Sequence, residues 1–391
     1  MDATAPFELN ELRRDWMDGI SGEAFHRKVV RARESLKGRG ELPLVIREED
    51  PTAFAVMFFA AASCRLPIAL ANPRWGVTEK EEFDALMAKE APPPGSILIP
   101  TGGTTGGVKL AIHDWASLRA GALAVRDFLG GGAVHSSCVL PMHHVSGLMQ
   151  LLRAFHSGGS IRFDGEPGAG CCLSLVPTQL RRMMRTPEGI RKLNTARIVF
   201  VGGAGMPPGV AEKARQLKLP VVPVYGMTET AAMIAAVPNR DFLAGSDAGA
   251  VLLGDAESSI DPDGSIRLRT SALFKGYHGG KRIDRSEGFR TGDAGWLDET
   301  GRLHLLGRMD RLINTGGEKV DPAEVANAIM ELDGVAQARV VGEPDEEWGE
   351  VVVAYVGYAA EAPRLNQQAM RHLLKGRLSP FKIPKYVRIL E

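Results

Sequence analysis

The sequence has few cysteines, no excess of charge of either sign and no long apolar run. The four cysteines are Cys64, Cys138, Cys171 and Cys172; they form no CxxC pair and lie at no metal-ligand spacing from a histidine, which argues against a zinc site. So few cysteines also suit a reducing compartment, and we expect a cytoplasmic protein. Lys plus Arg and Asp plus Glu number 47 each, so no net field attracts nucleic acid or an anionic membrane. The longest apolar run, Ala53–Cys64, is too short to span a bilayer and predicts a buried helix.

The middle of the chain alternates between strand-like and helix-like segments. With 391 residues, two or more domains are expected. Residues 1–95 read as largely helical. From 96 to about 240, short apolar runs such as Val139-Leu140 and Ile198–Val201 alternate with amphipathic segments. This alternation predicts a layered α/β fold.

The last third of the chain has a different pattern. Between 245 and 306, short strands are separated by Asp/Gly turns, which predicts a β-rich subdomain. After Gly307 a helix, two strands and a second helix predict a small α+β domain. We therefore expect an N-terminal domain at 1–307, with an α/β core at 95–240 and a β-rich subdomain at 245–307, and a mobile C-terminal domain at 311–391.

A glycine- and threonine-rich segment, Thr101–Lys109, follows the predicted strand Ser96–Pro100. Glycine backbone can wrap an anion with its N–H groups, while threonine hydroxyls and the Lys109 ammonium add donors and charge. The segment is not a Walker A loop, because Leu110 follows the lysine where Ser or Thr is required. It predicts a polyphosphate grip, and the alternative is a flexible surface turn.

Four further segments carry groups that suit a nucleotide or a carboxylate. Val224–Thr230 offers a tyrosine face for a purine, a threonine hydroxyl for a phosphate and a glutamate for Mg²⁺. Arg290–Asp293 offers an acceptor for two ribose hydroxyls, and Gly307–Lys319 suits a hinge. His143 and His144 follow a predicted strand, where a histidine could gate a carboxylate substrate. Ordinary turns, a linker and a structural histidine are the alternatives.

Taken together, the order and spacing of these segments resemble the adenylate-forming superfamily of acyl-CoA synthetases, luciferases and peptide-synthetase adenylation domains. Thr101–Lys109 resembles its phosphate loop and Tyr225–Thr230 its Y-G-x-T-E segment. Thr291–Asp293 resembles its ribose-binding T-G-D, Gly307–Asp310 its hinge, and Val340–Glu350 part of its C-terminal domain.

Within that superfamily the chain looks closest to the o-succinylbenzoate–CoA ligases of menaquinone and phylloquinone synthesis. The stretches Leu70–Trp75 and Leu140–Leu148 carry this similarity. It implies an acid–thiol ligase that forms an acyl-adenylate from ATP with Mg²⁺ and then an acyl-CoA from coenzyme A.

The resemblance also assigns roles to individual residues. Those implied to bind the β- and γ-phosphates of ATP are Thr101, Gly102, Gly103, Thr104, Thr105, Gly106 and Lys109. Those implied to surround its adenine are Gly203, Ala204, Tyr225 and Gly226. Thr228 is implied to bind the α-phosphate and Glu229 the metal, and Asp293 and Arg308 are implied to bind the ribose. Those implied to serve the acyl and thioester steps are His144 in the acyl pocket, Asp310 at the hinge, and Gly316 with Gly317 beside pantetheine.

One implied group has no counterpart. The superfamily has an adenylation lysine beyond a segment like Pro380–Tyr386, and no residue up to Glu391 matches it. Loss of a cation at a transition state costs about 2.7–4 kcal/mol, so slow adenylation and a truncated C-terminal domain are expected of this chain.

Several functions therefore stay open at the level of sequence. The alternatives are another aryl- or medium-chain acyl-CoA ligase, a carrier-loading adenylation domain, and a catalytically weak adenylate-binding paralogue. The expected partners are a small carboxylic acid, ATP and CoA, with no nucleic acid and no membrane span, and a homodimer is a further expectation.

Overall fold

The computed structural model describes residues 6–38, 42–102, 107–245, 248–360 and 362–390. Within these ranges, no helix is long and apolar enough to cross a membrane. The described residues form four β-sheets with helices packed around them.

The regular elements follow the chain in this order. The α-helices are α1 (Gly22–Leu36), α2 (Pro51–Ser63), α3 (Val77–Met87), α4 (Trp115–Phe128), α5 (Val145–Ser157), α6 (Pro177–Met183), α7 (Pro187–Thr195), α8 (Pro208–Gln216), α9 (Asn239–Leu243), α10 (Pro322–Met330) and α11 (Gln367–Leu374). The strands are β1 (Leu44–Ile46), β2 (Ile68–Leu70), β3 (Ser96–Gly102), β4 (Val108–Asp114), β5 (Ser136–Ser137), β6 (Ile161–Arg162), β7 (Cys172–Leu175), β8 (Ile198–Val201), β9 (Val221–Met227), β10 (Ala232–Ala236), β11 (Val251–Leu252), β12 (Glu257–Ile260), β13 (Ser265–Arg269), β14 (Phe289–Leu297), β15 (Leu303–Arg308), β16 (Ile313–Thr315), β17 (Glu318–Val320), β18 (Val335–Asp345), β19 (Gly349–Tyr358) and β20 (Tyr386–Ile389).

The largest sheet has the strand order β11-β10-β9-β8-β7-β5-β6. Its strands from β6 to β9 are parallel, and β10 and β11 run antiparallel to them. The predicted layered α/β core is therefore confirmed. The carboxyl ends of parallel strands meet at one edge, where ligands of α/β proteins bind. Strand β9 ends at that edge, directly before Thr228.

A second sheet, β1-β2-β3-β4, carries the predicted phosphate segment. Strands β1 to β3 are parallel, and β3 and β4 form an antiparallel hairpin in which Thr101 lies opposite Lys109. The apolar run predicted to be a buried helix forms α2, which begins at an Asp50 N-cap and packs into the main core. The helices α1, α2 and α3 agree with the expectation that residues 1–95 are largely helical, and short apolar runs between them form the parallel strands β1 and β2.

One predicted strand lies elsewhere. The run Val139-Leu140 is not a strand, and the strand in this part of the sheet is β5 at Ser136–Ser137, between β7 and β6. Leu140 precedes Pro141, which has no N–H to donate to a neighbouring strand, and Val139 is 38% exposed. Pairing therefore stops before these residues.

The last third of the chain follows the predicted pattern. Strands β12 to β15 form an antiparallel sheet. Strands β16 to β20 and helices α10 and α11 enclose their own apolar core, which includes Val325, Val352 and Met370. These features confirm the fold class of a large and a small part, and the exact boundary at 307–311 stays a prediction.

Candidate active site

The main sheet and the sheet β1-β2-β3-β4 meet at the turn Thr228–Thr230 at the end of β9. The segment Phe274–His278 joins them: its backbone pairs with β4 through Lys275 N to Ile112 O at 2.7 Å, and Phe274 N donates to Glu229 O at 2.9 Å. The phosphate hairpin and the end of β9 are thereby held side by side.

The three residues predicted to surround the ribose and adenine lie together. The Tyr225 hydroxyl donates to Asp293 Oδ2 at 2.6 Å. Arg308, opposite Asp293 in the β14–β15 pairing, places Nη1 3.6 Å from Asp293 Oδ1. Burial, with the Asp293 charge, raises the pKa of the Tyr225 phenol, so it stays a donor. The cluster presents a carboxylate and a guanidinium at the sheet edge, and its role toward a nucleotide stays a prediction.

Two glycines in this region have structural reasons. A Cβ at Gly226 would overlap the Ala232 carbonyl oxygen of β10, and one at Gly292 would overlap the Arg308 guanidinium. Gly226 is therefore required by the close approach of β9 and β10. This requirement accounts for the glycine without any ligand.

The adenine end is formed by neighbouring strand ends. Val201 of β8 lies opposite Pro223 of β9. Gly203, just past the end of β8, and Tyr225, near the end of β9, therefore lie at neighbouring strand ends. Gly203 has φ +81°, and Gly203 and Ala204 are exposed. Their predicted contact with adenine is compatible with this open position.

Glu229 is the buried carboxylate of the site, at 7% exposure. Its Oε1 accepts a hydrogen bond from the Tyr277 hydroxyl at 2.5 Å, and no described residue donates to Oε2. Mg²⁺ in nucleotide sites is held by one or two carboxylates, substrate phosphates and water, so Glu229 fits the predicted metal role. No group of three or more His, Cys, Asp or Glu within the described ranges forms a complete metal cage.

The phosphate segment is described in part. The residues outside the described ranges are Gly103, Thr104, Thr105 and Gly106, and the burial of Gly102 is not described either. Lys109 is exposed, and its Nζ lies 5.9 Å from the centroid of the Tyr277 ring. The predicted phosphate cation and the predicted metal carboxylate therefore flank one tyrosine.

The two histidines before α5 have different environments. His143 is buried, and its Nε2 has no hydrogen-bond partner within the described part of the chain. Burial together with His144 lowers its pKa to about 4. His144 is exposed and is the N-cap of α5, and the two rings lie 4.6 Å apart. His144 is thus the accessible member, and its predicted place in the acyl pocket stays a prediction.

The predicted hinge and pantetheine residues lie past β15. Asp310 is exposed and pairs with Arg308 Nε at 3.1 Å. Gly316 and Gly317 form the two-residue turn between β16 and β17, with φ +59° and +86°. Positive φ at both positions is typical of a type I′ turn, so the turn itself explains both glycines, and their contact with pantetheine stays a prediction.

Arg153, on α5, was missed by the sequence interpretation. It is 3% exposed, and its Nε has no hydrogen-bond partner among the residues that the structure describes. It forms no ion pair with any carboxylate of the described residues. The titratable groups that face it are the thiols of Cys138 and Cys172, and burial raises the pKa of each thiol to about 11, so both are neutral at pH 7. Burial lowers its pKa to about 10, so it is charged at neutral pH. A single arginine in the apolar stretch Leu148–Phe155 was the available signal.

His113, at the end of β4, was also missed. It is fully buried, and its Nε2 lies 2.8 Å from Thr228 O while Nδ1 lies 3.0 Å from Ser117 Oγ. The first contact ties β4 directly to the Thr228–Thr230 turn. Burial lowers the pKa of His113 to about 4, so it is neutral in the folded protein at pH 7.

This burial makes folding sensitive to acid. An unfolded histidine binds its proton near pH 6.5, whereas folded His113 does so near pH 4. Between these values the unfolded state holds more protons, so stability is fully present above pH 6.5 and falls by roughly 3 kcal/mol from this group on acidification to pH 4. Urea denaturation at several pH values measures this loss.

A His113→Gln variant is expected to lose less stability over the same pH window. The same substitution at exposed His135 is the control and is expected to leave the wild-type slope unchanged. Equal slopes for His113→Gln and the wild type would contradict the assignment.

Sequence comparison decides the family. Residues 63–278 match the family described as AMP-binding enzyme, and residues 324–391 match the C-terminal domain of AMP-binding enzymes. The chain belongs to the AMP-binding enzyme family. The predicted resemblance to adenylate-forming enzymes is confirmed.

Curated relatives of this family member include bacterial 2-succinylbenzoate–CoA ligases. One from Listeria monocytogenes serotype 4b is 33% identical over 314 residues, which cover 74% of this chain and 65% of the relative. One from serovar 1/2a is 32% identical over 337 residues, which cover 80% of this chain and 70% of the relative. The matched region thus spans about two thirds of the length of these proteins.

Solved structures share the fold. The o-succinylbenzoate coenzyme A synthetase of Bacillus subtilis in complex with AMP has a TM-score of 0.79 at 22% identity, over 96% of this chain and 91% of that one. ATP-bound MatB from Rhodopseudomonas palustris has a TM-score of 0.78 at 22% identity, over 100% of this chain and 95% of that one.

Proposed function

We propose that this AMP-binding enzyme is an ATP-dependent acid–CoA ligase that converts 2-succinylbenzoate to its CoA thioester. The observation that carries the proposal is the convergence of the Tyr225–Asp293–Arg308 cluster with Glu229 at one sheet edge. The names of the Listeria relatives support the substrate.

In the first half-reaction, a carboxylate oxygen of the acid attacks the α-phosphorus of ATP. A new P–O bond forms, the bond to the β-phosphate bridge breaks, and pyrophosphate leaves with its electron pair. Thr228 would hold the α-phosphate and Lys109 the departing phosphates. Mg²⁺, held by Glu229, would neutralise charge on the phosphates. The work of the protein is positioning and charge stabilisation.

In the second half-reaction, the CoA sulfur attacks the acyl carbonyl carbon. The carbon–oxygen bond to the phosphate breaks, AMP leaves, and the thiol proton is released. Rotation of the small domain about Asp310 would bring Gly316 and Gly317 toward the acyl-adenylate. His144 would line the path of the thiol.

The second carboxylate of 2-succinylbenzoate needs a counter-charge. Arg153 is a buried cation without a carboxylate partner in the described structure. It lies on α5, and Met149 of this helix and Ala231, the residue that follows the Thr228–Thr230 turn, both pack against Gly121. A buried unpaired charge is costly, and a dicarboxylic substrate would supply the missing partner.

The function is tested with a panel of acids, ATP, Mg²⁺ and CoA, measuring AMP and acyl-CoA. Turnover is expected with 2-succinylbenzoate. Turnover with benzoate or a fatty acid but not with 2-succinylbenzoate would contradict the substrate assignment. If the protein binds ATP but catalyses neither half-reaction, it is an adenylate-binding protein and not a ligase.

The two half-reactions are then separated. Presynthesised acyl-adenylate with CoA reports the thioester step, and ATP–pyrophosphate exchange reports adenylation. We further propose a cytoplasmic location, which the low cysteine count supports.

A further inference from the structure

We propose that Tyr277 is a positioning residue that keeps Lys109 and Glu229 apart and holds the Glu229 carboxylate ready for Mg²⁺. The inference rests on the proposed function, in which Lys109 meets phosphates and Glu229 meets the metal. Tyr277 lies outside every motif used to recognise the site, and its contacts appear only in the folded protein.

The contacts of Tyr277 reach both charged groups. Its hydroxyl donates to Glu229 Oε1 at 2.5 Å, and its ring lies 5.9 Å from Lys109 Nζ. The hydroxyl engages one carboxylate oxygen and leaves Oε2 without a described donor. The ring face offers the ammonium a weak cation–π attraction in place of a carboxylate.

The backbone holds Tyr277 in this position. Tyr277 forms a bridge with Ala111, two residues beyond Lys109 on β4. Phe274 N donates to Glu229 O at 2.9 Å, and the Phe274 ring packs edge-on against Tyr277 at 5.0 Å. The tyrosine is thus anchored to the two elements that carry the charges it separates.

The separation has a physical purpose. An ammonium and a carboxylate at close range attract each other, the more strongly where water is excluded. A direct ion pair would neutralise the cation needed by the phosphates and occupy the carboxylate needed by the metal. Neither Lys109 nor Glu229 forms an ion pair with another residue in the described part of the chain.

The test measures ATP affinity by calorimetry with and without Mg²⁺. Tyr277→Phe keeps the ring and removes the hydroxyl, so we expect unchanged affinity for metal-free ATP. The gain in affinity from Mg²⁺ is expected to fall about tenfold, the lower range for loss of a group that orients a metal ligand. The matched control is Tyr355→Phe, which removes a like bond from Tyr355 to Glu343 Oε1 at 2.7 Å in the small domain and is expected to change neither value.

A second variant tests the spacing. Tyr277→Leu removes the barrier, so Lys109 can pair with Glu229, and affinity for metal-free ATP is expected to fall as well. Adding Glu229→Gln to Tyr277→Leu removes the competing carboxylate and is expected to restore that affinity. Restoration cannot arise from a general packing defect.

Each contrary result overturns a specific part of the proposal. A Mg²⁺ gain in Tyr277→Phe equal to that of Tyr355→Phe, or an equal loss with and without Mg²⁺, overturns the positioning role. No restoration in the double variant overturns the spacing role. A wild-type protein that binds ATP without any gain from Mg²⁺ overturns the metal assignment of Glu229 in the proposed function, and the inference with it.

Discussion

Replacing Glu229 with glutamine is expected to lower kcat/KM of adenylate formation by about a hundredfold or more. Glutamine has nearly the same shape and can still accept the hydrogen bond from the Tyr277 hydroxyl, now seen at 2.5 Å. The substitution therefore removes the negative charge that holds Mg²⁺ and leaves the local packing. ATP–pyrophosphate exchange with 2-succinylbenzoate measures the effect.

The same variant separates the two half-reactions. Thioester formation from presynthesised acyl-adenylate and CoA involves no pyrophosphate, so Glu229→Gln is expected to retain most of it. Glu343→Gln is the matched control, because Glu343 also accepts from a tyrosine, Tyr355, but in the small domain. Exchange at the wild-type rate in Glu229→Gln would show that the metal is held elsewhere.

Replacing Arg153 with methionine is expected to lower kcat/KM for 2-succinylbenzoate by about a hundredfold, while folding stability stays equal or rises. One or two charge-assisted hydrogen bonds to the distal carboxylate, each about 1.5–3 kcal/mol, account for the loss. The unchanged or higher stability follows because the folded protein no longer buries a charge without a partner. Kinetics with 2-succinylbenzoate and benzoate, and thermal unfolding, measure the two effects.

An arginine that already has a hydrogen-bond partner provides the control. Arg197 Nη2 donates to Leu129 O at 2.6 Å, so Arg197→Met is expected to lower stability and leave the preference between the acids unchanged. If Arg153→Met instead lowers stability, or lowers activity equally with both acids, Arg153 is a structural residue.

Local sequence was sufficient where function depends on a short segment of backbone. Tyr225 and Glu229 belong to one strand end and its turn, and Asp293 to one strand, so each could be recognised from its immediate neighbours. The alternation that predicts the parallel sheet is equally local, because burial on both faces selects apolar runs. The wrong prediction of a strand at Val139-Leu140 also has a local explanation, because Pro141 follows directly and has no N–H to donate to a neighbouring strand.

The sequence by itself determined the fold class, the division into a large and a small part, and the family to which the chain belongs. Only the tertiary structure showed that Tyr225 donates a hydrogen bond to a carboxylate 68 residues away, that Tyr277 contacts both Lys109 and Glu229, and that Arg153 is buried with no carboxylate partner among the described residues. The physical reason is that burial and ion pairing are set by residues distant in the chain. The residues next to a side chain in the sequence do not determine which distant residues bury it or which charged groups lie beside it.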